Sequence, residues 1–404
     1  MQRIDSTQQK IPANRAPRSL IVLMAAVTVS AGLSIDLCLP AMPRIAEALA
    51  ADMGRVQQTL SIFILGVGFG QLVYGPLSDR YGRKPVLLAG LSLFCLAGLL
   101  CALAENVEQL IAFRLLQAFG AAVGAVVMRA VVRDLYQGVY AARVFSQIML
   151  VMMAAPLIAP LFSAQLLQWF SWWVIFFLLG VFGLWLAVLV YTRLPETLPA
   201  TKRQTNLLRT LPSQYREVLC HRQALGYFLC GTFTFAGMFA FVTAAPFVYI
   251  EYFGVPTGYF GLLYGSNVLM LSLLSWINSR LVVRVGIDPM LVRATWLALA
   301  AATALLFFSV SGIGGLWGVF PGLVVFIGTL GLIGANCNAG MLNPFDEAGG
   351  TASAIMGAGR FLLGGVASML VGFLHDGTPV PMAIVIFVNS VLALLSHRLL
   401  VTQN

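Results

Sequence analysis

Charged residues are scarce in this chain. Of its 404 residues only 10% are Asp, Glu, Lys or Arg, whereas soluble domains carry roughly 25%. Hydrophobic residues make up 59%, which is more than a single soluble core of this size could bury. The composition excludes an ordinary soluble domain and predicts a polytopic membrane protein.

The residue types that carry most enzyme chemistry are also few. The chain has three His and six Cys, with no CxxC pair and no Cys/His spacing typical of a metal site. It has no GxSxG motif, no Asp-rich motif and no nucleotide-binding loop. A membrane enzyme acting on lipid or isoprenoid groups needs such clusters, so we expect no enzymatic activity, no metal and no cofactor. The thiols are expected to be buried and structural.

Long apolar stretches are what the chain has in abundance. About 20 apolar residues cross a bilayer as a helix, and twelve stretches reach that length. The first follows a basic head and could imitate a signal peptide, but it has no convincing cleavage site, so we interpret it as a retained span. The predicted spans are 20–43, 56–78, 85–104, 109–132, 142–166, 171–192, 224–249, 258–280, 289–311, 315–340, 349–373 and 379–400.

Basic residues are distributed unevenly between the two sides of these spans. All but four of the 24 Lys and Arg fall on the side of the chain termini. Arg44 and Arg55 fall on the opposite side, and Arg114 and Arg360 fall inside spans. The positive-inside rule then predicts that both termini lie in the cytoplasm. The net charge of +9 is explained by this topology, without a nucleic-acid partner.

The polar segment 193–222 separates two sets of six spans. Residues 77–87, LSDRYGRKPVL, and residues 281–291, LVVRVGIDPML, agree at five of eleven positions with an offset of 204 residues. A parallel duplication leaves such a trace. We therefore predict an all-α membrane protein with two pseudo-symmetric six-helix bundles, at 1–192 and 223–404, joined by a cytoplasmic linker at 193–222. One chain holds both bundles, so a monomer is expected.

Three ionisable residues inside the predicted spans are candidates for function. Asp36 is the only acid well inside a span, where it either handles a proton or a cationic substrate or pins the first span through hydrogen bonds. Arg114 lies at a comparable depth in the fourth span and is its natural partner, including as a fixed salt bridge. Arg360 lies near mid-membrane in the eleventh span, where a cavity role is predicted. Further polar side chains are predicted either to line the substrate cavity or to join helices: Gln117, Asn267, Asn336 and Tyr249.

Residues 75–85, GPLSDRYGRKP, place a strong cluster of charge between the second and third spans. Glycines allow a tight turn there, and the acid and cations offer an ion network at the helix ends. The stretch resembles motif A of the major facilitator superfamily, and the alternative is a basic loop that only sets topology. Together with the end of the fourth span, it is expected to form an inside gate, closed when the cavity faces outward, from Gly75, Asp79, Arg80, Gly82, Arg83, Lys84, Arg133 and Asp134.

The fifth span combines small residues with two prolines. Ala155, Ala159 and Ser163 repeat every four residues along one face. The run resembles motif C, the antiporter signature, although Ser163 and Ala164 stand where that signature has paired glycines. The resemblance implies a hinge in this helix at Pro156, Pro160 and Ser163.

Three further segments are similar to bacterial Bcr/CflA transporters, the bicyclomycin-resistance type: residues 34–43, 234–251 and 350–360. The resemblance covers nearly the whole chain. It implies a bacterial inner-membrane exporter of lipophilic drugs that is driven by the proton gradient, with Asp36 as the proton- or substrate-linked acid and Arg114 as its partner. The residues alone imply alternating access, and they leave open an exporter of a metabolite such as an amino acid or a sugar.

Overall fold

The computed structural model describes residues 18–136, 138–203, 215–216, 218–345 and 349–401. Within this part of the chain, twelve helices are long and apolar enough to cross a membrane, which confirms the predicted fold class. In chain order the helices are α1 (Arg18–Asp36), α2 (Met53–Tyr81), α3 (Arg83–Ala102), α4 (Val107–Leu135), α5 (Gly138–Trp169), α6 (Trp173–Arg193), α7 (Arg222–Pro246), α8 (Thr257–Val285), α9 (Ile287–Ser311), α10 (Gly315–Leu342), α11 (Gly349–Phe373) and α12 (Val380–Leu400).

The turns after α2 and after α8 share one backbone conformation. Gly82 ends α2 with φ 102° and ψ 159°, and Gly286 ends α8 with φ 89° and ψ 166°. Glycine adopts such angles at little cost, and in both turns the next helix begins at the following residue. These glycines occupy equivalent positions of the sequence repeat, so the repeat is structural as well.

Asp36 is the last residue of α1 rather than a residue within a longer helix. A 3₁₀ turn covers Leu39–Ala41, and a short helix follows at Met42–Ala48. Pro40 lacks a backbone donor and disfavours helical geometry at the residue before it. The span predicted at 20–43 is confirmed as a span over Ser19–Ala48, and the structure adds a break in the helix after Asp36. The break leaves carbonyl oxygens at the end of α1 free to accept other hydrogen bonds.

The helices pack in two groups of six, and these bundles meet along α2 with α11 and along α5 with α8. We call the helix ends on the side of the chain termini the termini face, and the other ends the opposite face. Near the opposite face the bundles are in close contact. Gly54 of α2 lies so close to α11 that a Cβ there would be 2.7 Å from the Gly372 carbonyl oxygen.

Toward the termini face, a cavity of about 170 Å³ lies between α2, α4 and α5 of the N-terminal bundle and α11 of the C-terminal bundle. The molecule is thus closed at the opposite face, with an inter-bundle cavity toward the termini face. The residues that line this cavity are Gln71, Val126, Arg129, Arg133, Phe145, Ser353 and Ala354.

Candidate functional site

A hydrogen bond across the bundle interface holds Asp36. The hydroxyl of Tyr264 in α8 donates to Asp36 Oδ1 at 3.2 Å. The Asp36 residue is only 5% exposed, and the ion pairs among the described residues do not include it. Because a buried carboxylate without a cation is costly, this position suits a group that gains and loses a proton.

Tyr264 belongs to an aromatic cluster in the C-terminal bundle. Its ring stacks on Phe241 at 5.9 Å and on Phe260 at 5.7 Å between centroids. Tyr249 meets both phenylalanines edge-on, and its hydroxyl is buried without a hydrogen-bond partner among the described residues. Tyr249 and Asn267 are 0% and 1% exposed, so these two predicted cavity residues are packed within the cluster in this conformation.

Arg114 does not pair with Asp36, which corrects the predicted salt bridge. Its Nη1 donates to Gln117 Oε1 at 2.8 Å, and its Nη2 donates to the Ser34 carbonyl at 3.3 Å. Its guanidinium lies 4.0 Å from the centre of the Phe63 ring, a cation–π contact. Arg114 therefore faces the interior of the N-terminal bundle and joins α1, α2 and α4, whereas Asp36 faces α8.

Helix α5 is anchored to the end of α1. Ser163 Oγ donates at 2.6 Å to the carbonyl of Leu37, just beyond the helix break. Pro156 and Pro160 lie inside α5, which is unbroken, so the hinge stays a prediction. Small residues on this face of α5 border an apolar groove of about 420 Å³ between α1, α5 and α6.

Arg360 and Asn336, both predicted near the cavity, bond within the C-terminal bundle. Arg360 Nη2 donates to the Gly334 carbonyl at 3.2 Å, and its guanidinium lies 4.2 Å from the Phe235 ring centre. Asn336 Nδ2 donates to Asn278 Oδ1 at 2.8 Å, which joins α10 to α8. Asn336 is 3% exposed, so its observed role is helix packing.

Arg83 is the centre of the charged cluster at the termini face. It donates to Asp79 Oδ1 at 2.5 Å and to Ser78 Oγ at 2.7 Å through Nη1, and to Asp134 Oδ2 at 3.1 Å through Nε. The structure thus brings three predicted gate residues together. All three belong to the N-terminal bundle, and their part in gating stays a prediction.

The other basic residues of the predicted gate lie around this cluster. Arg80 lies over the Tyr81 ring, and Lys84 Nζ donates to the Tyr191 carbonyl at 2.8 Å, which ties the start of α3 to α6. Arg133 lines the inter-bundle cavity instead of joining the cluster.

Glycines occupy the predicted gate for different reasons. Gly75 lies in α2, where a Cβ would make only ordinary contact with Val126 at 3.9 Å. At Gly82 the backbone has a positive φ of 102°, which requires glycine. A Cβ there would also lie 2.5 Å from Glu196 Oε2, so that side chain would have to move.

Glu196 is a residue that sequence reasoning missed. Its carboxylate accepts from the backbone N–H groups of Arg83 at 2.9 Å, Lys84 at 3.2 Å and Leu198 at 2.9 Å. The first two N–H groups belong to the start of α3, where a helix has free donors and favours negative charge. The only signal in the sequence is an acid just after the sixth span, on the same predicted side as the gate.

Three hydroxyls at the bundle interface were also missed. Ser368 of α11 shares hydrogen bonds with Ser61 of α2 at 2.7 Å and with Thr243 of α7 at 2.5 Å. All three side chains are buried. The chain of hydroxyls therefore joins the bundles where they pack closely.

His375 lies in the turn between α11 and α12 at the opposite face. Its ring packs edge-on against Phe247 with centroids 4.4 Å apart, and burial lowers the pKa of the imidazole below its ordinary value. Within the part of the chain that the structure describes, no three His, Cys, Asp or Glu side chains are grouped as metal ligands.

Comparisons with known proteins agree with this architecture. The model of the Major Facilitator Superfamily matches residues 24–397. The chain is 32% identical over 378 residues to the bicyclomycin resistance protein homolog of Haemophilus influenzae, covering 92% of this chain and 93% of that protein. It is 28% identical over 361 residues to the multidrug transporter MdfA of Yersinia pestis, covering 86% and 85%.

A solved structure shows the same fold at low identity. The crystal structure of a D-xylose–proton symporter superposes with a TM-score of 0.72 at 14% identity, over 95% of this chain and 97% of that one. The resemblance drawn from the motifs is confirmed by the family match and by the relatives. The protein belongs to the Major Facilitator Superfamily, as a multi-pass membrane transporter related to the bicyclomycin resistance proteins.

Proposed function

We propose that this transporter exports lipophilic antibiotics across the bacterial inner membrane in exchange for protons. The observation that carries the proposal is the hydrogen bond from Tyr264 to Asp36, which joins the buried acid of one bundle to the other bundle. The relatives named for bicyclomycin resistance and for multidrug transport support the substrate class.

The orientation follows from the distribution of basic residues. Lys and Arg are concentrated on the termini face, which the positive-inside rule assigns to the cytoplasm. The opposite face is then periplasmic, and the described conformation is closed to the periplasm. The inter-bundle cavity lies on the side from which a drug would be exported.

Proton occupancy of Asp36 would bias the contact between the bundles. An ionised carboxylate accepts a stronger hydrogen bond than a neutral carboxyl, but it also carries the cost of burial. A drug that reaches Asp36 either donates hydrogen bonds to the carboxylate or admits water to it. Both stabilise the ionised form, so Asp36 then loses its proton to the cytoplasm. A proton that returns from the periplasm then favours release of the drug, because the two states of the acid prefer different arrangements of the bundles.

The aromatic cluster beside Asp36 supports a lipophilic substrate. Phe241, Phe260 and Tyr249 form an apolar surface around Tyr264. Apolar pockets with a few convergent polar groups are typical of small-molecule sites. In the closed contact this surface is covered, so substrate binding requires the cluster to part from α1.

The test uses everted membrane vesicles, whose lumen is acidified by respiration. Addition of bicyclomycin or chloramphenicol should collapse part of the pH gradient, measured as dequenching of acridine orange, with wild-type protein and not with Asp36→Asn. Asp376→Asn is the matched control, because Asp376 is an exposed acid at the opposite face. An unchanged response in Asp36→Asn would remove this acid from the mechanism. A response to an amino acid or a sugar, and to no drug, would identify a metabolite exporter instead.

A further inference from the structure

Four of the seven residues that line the inter-bundle cavity have basic or neutral polar side chains, and the other three are apolar. Arg129 and Arg133 of α4 and Gln71 of α2 line it from one bundle, and Ser353 of α11 lines it from the other. The volume of about 170 Å³ is too small for a whole drug, but it is large enough for one charged group of a larger molecule.

Arg129 reaches across the bundle interface. Its Nε donates at 2.7 Å to the carbonyl of Ala125 in its own helix, which fixes the guanidinium. The guanidinium lies beside Gly357 of α11 in the other bundle: a Cβ built on Gly357 would be 3.6 Å from Arg129 Nη2. The same Cβ would be 3.0 Å from the side-chain oxygen of Gln71. Because Gly357 has no side chain, the guanidinium packs directly against the backbone of the other bundle.

A second guanidinium approaches from that other bundle. Arg360 follows Gly357 by less than one turn of α11, and Gly357 is the residue beside which the Arg129 guanidinium lies. The Nε of Arg360 is buried without a hydrogen-bond partner among the described residues. Two like charges from different bundles therefore lie near one another in a partly buried place.

The described residues supply no counter-charge for these arginines. The ion pairs in that part of the chain include neither Arg129 nor Arg133 nor Arg360. Asp134 is engaged with Arg83 instead. Helix α11 begins at Gly349, so its positive end also lies near Ser353.

Such an arrangement is suited to an anion. Like charges repel more strongly in a medium of low dielectric constant than in water, and an anion between them relieves that repulsion. Guanidinium groups bind carboxylate, sulfonate and phosphate through paired N–H donors. Gln71 and Ser353 add neutral polar groups to the same cavity.

From this geometry we propose that the cavity binds the anionic group of an amphipathic ligand. Arg129, which lines the cavity, is the first cationic contact, and Arg360 of the other bundle, which lies outside that lining in this conformation, is the second. If the proposed export function holds, the substrates then include lipophilic compounds with a carboxylate, sulfonate or phosphate. Only this statement about exported substrates rests on the proposed function, because binding of the anionic group itself requires no transport.

The test compares two dyes that differ in one charged group. 8-Anilinonaphthalene-1-sulfonate carries a sulfonate, and N-phenyl-1-naphthylamine is its uncharged counterpart. Each is titrated by fluorescence against purified full-length protein in an uncharged maltoside detergent. Arg129→Gln and Arg360→Gln should each weaken sulfonate binding by about tenfold or more, as expected for loss of a charge-assisted hydrogen bond, and should leave binding of the neutral dye unchanged.

Two further variants separate charge from folding. Arg129→Lys keeps the charge and should retain most of the sulfonate affinity. Arg293→Gln removes an exposed arginine from the same face and should have no effect. Sulfonate binding as tight in Arg129→Gln and Arg360→Gln as in wild type would overturn the proposal, and so would an equal loss of both dyes.

Competition identifies the source of the anion. Displacement of the sulfonate dye by inorganic phosphate would support a site for soluble anions, whereas displacement only by phosphatidylglycerol in mixed micelles would support a lipid headgroup. Displacement by neither would contradict the site. Asp36→Asn should bind the sulfonate dye as wild type does, so failure of proton-coupled export and failure of this site give different results.

Discussion

Tyr264 of the C-terminal bundle donates a hydrogen bond to Asp36 of the N-terminal bundle, 228 positions away in the chain. Both side chains are buried, and Asp36 ends α1 at the point where the helix breaks. The acid of one bundle is therefore held by a side chain of the other bundle. In the mechanism that we propose, this bond connects the protonation of one carboxyl to the relative arrangement of the two bundles.

Removal of the phenol tests that connection. Tyr264→Phe keeps the ring stacked on Phe241 and Phe260 and removes only the donor. We expect a small loss of stability, about 1 kcal/mol for one hydrogen bond, with a clear change in the pH dependence of transport. Transport is measured in proteoliposomes over a pH series.

The matched control is Tyr259→Phe, which removes an exposed phenol from the same helix. It should change neither stability nor the pH profile. If Tyr264→Phe also leaves the pH profile unchanged, the bond to Asp36 has no part in coupling.

Gly54 tests the contact that closes the opposite face. A Cβ at this position would lie 2.7 Å from the Gly372 carbonyl oxygen, which is backbone and cannot turn aside, so Gly54→Ala should force the bundles apart there. A cysteine in place of Ser368, which is buried at this interface, should then react faster with a membrane-impermeant maleimide added from that face.

Gly32→Ala is the control for the added methyl group, because nothing lies within 4 Å of a Cβ at Gly32. It should leave the labelling rate unchanged. An equal rate in Gly54→Ala and in the parent would show that Gly54 does not limit opening.

Glu196 tests the junction of α2 and α3. Glu196→Gln removes the charge that accepts from the N–H groups of Arg83 and Lys84. We expect a destabilisation of about 1–3 kcal/mol, the range for loss of hydrogen bonds to a charged group, measured by thermal unfolding in detergent. Glu105→Gln, at an exposed acid, should have no comparable effect. Equal stability of the two variants would mean that water replaces the Glu196 contacts without loss.

His375 provides a pH-dependent prediction outside the spans. Burial against Phe247 lowers the pKa of its imidazole, although the nearby Asp376 and Asp52 oppose that shift. The contribution of the neutral, buried imidazole to the stability of the fold is therefore complete above the ordinary imidazole pKa of about 6.5. It is lost as pH falls through the lowered pKa of the folded protein. The melting temperature of wild type should fall more than that of His375→Phe on acidification from about pH 7.5 to about pH 5. Parallel curves would exclude His375 as the cause.

The twelve helices were predictable from sequence because hydropathy acts along the chain. A stretch of apolar residues has to cross the bilayer as a helix. The repeat was visible for a similar reason, because the turns at Gly82 and Gly286 both require a residue with positive φ. The sequence predicted the first span but not the break of its helix after Asp36, although Pro40 was there to indicate it.

Contacts between helices were much less predictable. Position in the sequence gives the depth of a residue, but the rotation of each helix decides which neighbour its side chain meets. Arg114 and Asp36 were expected to pair on depth alone, and Arg114 instead donates to Ser34 and Gln117. Tyr264 was not singled out, because its role depends on how α8 packs against α1 across the bundle interface.

The most direct test of the account is proton release by the purified protein in weakly buffered detergent solution on addition of bicyclomycin, which is uncharged and releases no proton itself. We predict that wild type releases protons and that Asp36→Asn, at equal occupancy and with an unchanged melting temperature, releases none. Equal release from the two proteins would contradict the assignment of Asp36 as the coupling acid.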